Sequence, residues 1–189
     1  MHKQLISAVI GVVALGGPAL AADALDPARL QFGLGLNLVP SLGSGVVAEA
    51  SFNNLFNLAP GINLGARANL GLSLSNPVVG ALTLTPVVTF DIANGGIYVG
   101  PSLGVGLGGA NASVGLGLRG GIEYDLSNEV MVYGYTGLSL GTSTLTGNTA
   151  VGIDLELSEP VSAFGETRVI YGGGNATFGL ALGLSYAFR

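Results

Sequence analysis

Two pairs of carboxylates stand one residue apart, Glu123/Asp125 and Asp154/Glu156. On an extended strand, residues i and i+2 share a face and lie roughly 6–7 Å apart. That separation suits an acid and a base working together. Three arginines stand near in the same pattern: Arg67, Arg119 and Arg168. Proton transfer at neutral pH is served best by histidine, and the only histidine is His2, next to the only lysine, Lys3. The bland role of such carboxylates, as partners of arginine in an interior ion network, is therefore the expected one, and no catalytic residue is assigned. There is no cysteine, so neither thiol chemistry nor a disulfide framework is expected. Without Cys or an available His no metal site is expected, which leaves only the acids of the turns as hard-oxygen ligands. The run Gly104-Val105-Gly106-Leu107-Gly108-Gly109 mimics a dinucleotide loop. In a chain with 33 glycines and no helix to follow, it carries no weight. No cofactor is expected.

These charges are placed by strands. From Leu30 to Leu38 the even positions are all apolar, and the odd ones are Gln31, Gly33, Gly35 and Asn37. Residues 62–74 and 176–188 alternate in the same way, the period of a strand rather than a helix. A second regularity has a longer period. An apolar residue, a spacer and a second apolar residue recur as Phe56-Asn57-Leu58, Phe90-Asp91-Ile92, Tyr124-Asp125-Leu126, Leu155-Glu156-Leu157 and Tyr186-Ala187-Phe188. Their second apolar members are 34, 34, 31 and 31 residues apart, and four of the copies precede a short turn. A unit of that length is two strands and two tight connections. Ten strands follow, over 30–38, 45–58, 61–74, 80–92, 96–108, 113–126, 129–141, 149–157, 161–171 and 176–188. The alternative is eight strands, with two of these segments outside the sheet. Either way the expected fold is all-β, a transmembrane antiparallel up-and-down barrel.

Composition supports a lipid-facing exterior. Charged residues make up 9% of the chain and mean hydropathy is +0.62, whereas a soluble domain carries about 25% charged residues. Strand parity puts Glu49, Arg67, Asp91, Arg119, Glu123, Asp125, Asp154, Glu156, Glu166 and Arg168 on the face opposite the apolar one. The other charged residues, Asp23, Asp26, Arg29, Glu129, Glu159 and Arg189, are set aside to termini and turns. A basic residue at mid-depth in lipid costs about 2–4 kcal/mol, so this segregation is what a membrane barrel requires. A soluble sandwich would instead carry Lys and Glu on its wet face.

Residues 1–21 read as a secretory signal, with His2 and Lys3 ahead of an apolar stretch and Ala19-Leu20-Ala21 as the cleavage site. Residues 22–189 then form one domain, holding five arginines against eleven acids. That acidic balance argues against a nucleic-acid partner.

With a signal, alternating strands, tight turns and the closing strand Ser185-Tyr186-Ala187-Phe188-Arg189, the chain resembles the small outer-membrane β-barrel proteins of diderm bacteria, of OmpA/OmpX-like architecture. The resemblance spans residues 22–189. It implies a bacterial outer-membrane location, outer-membrane lipid as surroundings, and both termini in the periplasm. It also implies a last strand whose terminal aromatic, here Phe188 followed by Arg189, is read by the barrel-assembly machinery. Phe56, Phe90, Tyr124, Tyr186 and Phe188 would then form a periplasmic aromatic girdle. Enzymes of similar barrel size rely on a histidine, which residues 22–189 lack. The outer loops, at 39–44, 75–79, 109–112, 142–148 and 172–175, contain no charged or aromatic residue, which leaves the interior as the informative surface. The pore-lining set is Glu49, Arg67, Arg119, Glu123, Asp154, Glu156, Glu166 and Arg168. Two readings of it stand open. One is a narrow water-filled passage along a glycine-rich wall, biased to cations by seven inward acids against three arginines. The other is a structural barrel in which the arginines and carboxylates pair and plug the lumen.

Overall fold

Ten strands close into a single antiparallel barrel in a computed structural model that describes residues 28–39, 42–74, 78–108, 113–127, 129–141, 145–172 and 174–188. They are β1 (Ala28–Val39), β2 (Gly43–Ala59), β3 (Ile62–Ser73), β4 (Val79–Ile92), β5 (Gly95–Leu107), β6 (Val114–Asp125), β7 (Val130–Leu140), β8 (Leu145–Ser158), β9 (Val161–Gly172) and β10 (Asn175–Phe188). Each strand pairs with its sequence neighbours, and β1 with β10 closes the ring over the register Ala28↔Phe188 to Val39↔Phe178. Ten strands, not eight, form the wall, one hairpin more than the eight-stranded OmpA/OmpX type. The expected signal at 1–21 lies outside the described residues.

Strand limits agree with the alternation to within two residues except in β8, which starts at Leu145 rather than 149. Leu-Thr-Gly-Asn reads as a turn, yet Leu145 pairs with Leu140 and Gly147 with Tyr171. The Tyr171 ring lies over Gly147 on the outer face, where a β-carbon would collide with it. A neighbouring aromatic thus supplies the packing that the glycine cannot.

Side chains alternate along every strand. The outer face carries Leu, Ile, Val and Phe, and no charged residue of the ten strands has the outward parity. Four hairpins turn at one rim through Pro60-Gly61, Ala93-Asn94, Leu126-Ser127 and Glu159-Pro160. Proline followed by Gly61 at φ 72° is the combination a type II turn demands. Beside this rim β2 slips against β3, with Phe52 opposite Ala66 but Phe56 opposite Leu64. The extra residues form a bulge that carries the β2–β3 hairpin past its neighbours.

Candidate functional site in the barrel interior

The interior is crossed by ion pairs rather than lined by them. Arg67 on β3 places Nη2 2.9 Å from Glu123 Oε1 on β6, and Nη1 lies 3.9 Å from Glu49 Oε1 on β2. Arg119 on β6 reaches back across four strands to Glu49, Nη2 to Oε2 at 3.5 Å. Asn69 Nδ2 donates to the same carboxylate oxygen at 2.7 Å, and Arg67 Nη2 donates to Asn53 Oδ1 at 3.2 Å. On the other side Arg168 and Glu166 pair at 3.3 Å within β9, and Tyr135 OH on β7 donates to Glu166 Oε1 at 3.2 Å. Side chains of all these ion-paired residues are at most 8% exposed.

Rings complete the layer. The Arg67 guanidinium lies 3.7 Å from the Tyr98 ring centroid and that of Arg119 lies 4.5 Å from the Tyr135 ring. Stacking of this kind is strongest where both groups are desolvated. Tyr98, Tyr133 and Tyr135 bury together with Val87 and Met131. Inward glycines receive the rings. A β-carbon at Gly121 would stand 2.6 Å from Tyr98 OH, and one at Gly33 would stand 2.8 Å from Phe164 Cζ. At Gly152 it would overlap the Tyr133 ring. The glycine-rich wall expected to border a passage is therefore the seat of aromatic side chains from the adjacent strand or, for Phe164 over Gly33, from the next but one.

Of the eight residues expected to line the lumen, seven are buried in it: Glu49, Arg67, Arg119, Glu123, Asp154, Glu166 and Arg168. Glu156 is not. It shares the inward parity of β8, but it falls at the strand's last turn beside a register shift, and it is exposed. Asp91 is likewise exposed and Asp125 half-buried at the turn rim. Arg29, set aside to the terminus from sequence, is instead an inward residue of β1, 4% exposed. Its Nη2 donates to Asp154 Oδ2 at 2.8 Å, to Ser185 Oγ at 2.8 Å and to Ser162 Oγ at 3.1 Å. Carrying the odd-position pattern of Gln31, Gly33 and Gly35 back one step would have found it. Tyr98 was also missed, although Ile97, Val99, Leu103, Val105 and Leu107 mark the outer face of β5 and leave Tyr98 on the inner one.

These placements alter the charge balance. The buried charged residues are Arg29, Arg67, Arg119 and Arg168 with Glu49, Glu123, Asp154 and Glu166, four of each sign. The acid excess lies at the turn rim, not in the lumen. Among the described residues, no three or more acids draw together as metal ligands would.

The girdle residues Phe56, Phe90, Tyr124, Tyr186 and Phe188 all stand exposed on the outer face at the turn rim. Tyr186 and Phe188 meet edge to face, with centroids 5.0 Å apart.

No family model and no curated protein sequence matches the chain. Solved structures do. The transport unit of the autotransporter AIDA-I from Escherichia coli aligns over 99% of this chain and 98% of its own, at 10% identity and TM-score 0.50. KdgM porin aligns over 86% of this chain and 99% of its own, at 12% identity and TM-score 0.47. OmpTdeltaL8, a loop-deletion mutant of an outer membrane protein of Vibrio cholerae, aligns over 86% of this chain at 8% identity and TM-score 0.47. The chain spans about 60% of the length of that last protein. At such identities the likeness is one of fold: this chain has the closed antiparallel barrel of outer-membrane proteins.

Proposed function

We propose that the chain is an integral barrel of the bacterial outer membrane, pore-type in architecture, whose own side chains hold the lumen closed to ions. The observation that carries this reading is the set of buried Arg–carboxylate pairs spanning three or four strands: Arg67–Glu123, Arg119–Glu49 and Arg29–Asp154. An ion entering this layer must give up its hydration shell and break pairs whose members would each be left buried and unpaired. Removing one partner of such a pair costs about 3–5 kcal/mol. The apolar, uncharged outer face supports burial in lipid, and the one-sided aromatic rim supports an interface at the turns. In this reading the turn rim faces the periplasm, residues 1–21 are the cleaved signal, and β10 with Phe188 is what the assembly machinery engages. The interior carries out no catalysis.

Single-channel recording in a planar bilayer tests it. Wild type should stay at baseline, and the double substitution Arg67→Ala, Arg119→Ala should give discrete openings. Steady openings from wild type would overturn the closed lumen. A second reading, an open pore with mild cation preference, draws on Asp91, Asp125, Glu129, Glu156 and Glu159 at the turn mouth. Wild-type openings with a cation-positive reversal potential would favour it.

A further inference from the structure

The lumen has two unlike walls. Rings and apolar groups crowd β4, β5, β7 and β9 through Val87, Tyr98, Met131, Tyr133, Tyr135 and Phe164. Across from them β1, β2 and β3 present Gln31, Glu49, Ser51, Asn53 and Asn69, each no more than 2% exposed. Register makes these five one cluster. Gln31 stands opposite Glu49, and Glu49 opposite Asn69. Ser51 and Asn53 follow Glu49 on the same face of β2.

Protein groups satisfy the polar wall only in part, through Asn69 and the arginines on Glu49 and through Arg67 on Asn53. Gln31 Oε1 and Nε2, Glu49 Oε1, Ser51 Oγ, Asn53 Nδ2 and Asn69 Oδ1 have no hydrogen-bond partner. Each unpaired buried atom costs as much as a lost hydrogen bond or more. Six on one wall are comparable to the whole stability of a small domain. Buried polar groups left in this way are ordinarily paired with internal water.

We infer that the β1–β3 wall takes a file of water molecules, so that the barrel passes water while its ion pairs exclude ions. The inference rests on the closed-lumen reading. The six atoms include donors (Gln31 Nε2, Asn53 Nδ2), acceptors (Gln31 Oε1, Glu49 Oε1, Asn69 Oδ1) and the Ser51 hydroxyl, which can do both, so water can bond to each. Inward residues of one strand repeat at roughly 6–7 Å, and their partners on the adjacent strands stand level with them about 5 Å away. That spacing is bridged by one or two waters. At the turn rim the wall runs on into polar residues nearer solvent, and toward the other rim the inward positions are Gly33, Gly35, Gly45 and buried Val47 before Asn37 is reached. Asn63 and exposed Asn57, bonded at 3.1 Å, stand at the turn rim, and half-buried Asn37 stands at the other. Gln31 is a long side chain whose amide atoms make no protein hydrogen bond, so a change of its rotamer leaves the ion pairs of Arg67 and Arg119 in place. A metal cation is the wrong occupant, because Arg67 and Arg119 already neutralise Glu49 from 3.9 and 3.5 Å. The same guanidiniums repel a permeating cation, an electrostatic barrier known from water-selective pores.

The test is stopped-flow light scattering of phosphatidylcholine vesicles holding the purified protein, under an osmotic step, with potassium leak measured on the same vesicles. The expected result is shrinkage several-fold faster than in protein-free vesicles, with potassium leak at background. Gln31→Leu combined with Ser51→Ala should return water flux to the protein-free rate. It should also raise the denaturant midpoint, since unpaired groups are removed. Flux at the protein-free rate from a folded, ion-tight barrel would overturn the water file and leave the closed lumen standing. Fast flux of both water and potassium would overturn the closed lumen and the water-only path together. Fast flux unchanged by the double substitution would overturn the assignment to this wall.

Discussion

Arg29 shows how much one position on a strand can decide. It reaches Asp154 three strands away around the ring, and both are buried. Arg29→Met should destabilise the refolded barrel by about 3–5 kcal/mol through the stranded carboxylate, read as a drop in denaturant midpoint. Adding Asp154→Leu should recover most of that loss, because an apolar pair of similar volume is often neutral or better. A double mutant as unstable as the single one would show that the pair does not carry the effect. Gly152 makes a complementary case. A β-carbon there would overlap the Tyr133 ring and no other group so closely. Gly152→Ala should therefore cost about 1–3 kcal/mol by overpacking. Tyr133→Leu in the same chain should relieve it, a coupling that a double-mutant cycle reads directly.

At the scale of the strand the sequence was nearly sufficient. Alternation located all ten strands, and their faces follow from parity because the side-chain period of a strand is two. Leu34 is an outward residue near the middle of β1. Leu34→Arg should lower folding stability in lipid vesicles by about 2–4 kcal/mol if that face meets hydrocarbon, and much less if it does not. Errors fell at strand ends, where parity persists but depth changes. Glu156 keeps the inward parity of β8 yet is exposed at the rim, while Arg29 keeps that of β1 and is buried. The start of β8 was missed because Gly147 and Asn148 resemble a turn, whereas pairing with β7 and β9 and the ring of Tyr171 over Gly147 place them in the sheet.

Across the whole molecule the question is where charge sits along the barrel axis. The buried lumen is balanced, four arginines against four acids. Asp91, Asp125, Glu129, Glu156 and Glu159 make one mouth acidic. Any ion preference of a barrel opened by Arg67→Ala, Arg119→Ala should thus combine the lumen's unbalanced acids with this mouth. Neutralising Asp91, Glu156 and Glu159 to the amides in that opened background should move its reversal potential toward zero. A potential that does not move would assign selectivity to the lumen alone.

The amino-acid order by itself determined an all-β barrel of ten strands or eight, the apolar exterior and the inward face of most of the charged residues. These are local properties, written in a two-residue period and in turns set by a few residues each. The tertiary structure alone decided what the inward residues do with one another. Closure brings β6 to face β2 and β8 to face β1, so arginines meet carboxylates from distant strands, and rings settle on the glycines of neighbouring ones. A one-dimensional pattern gives the side of the wall on which a residue stands. Which residues face each other across the barrel depends on strand order and register, and those are set only when the ring closes.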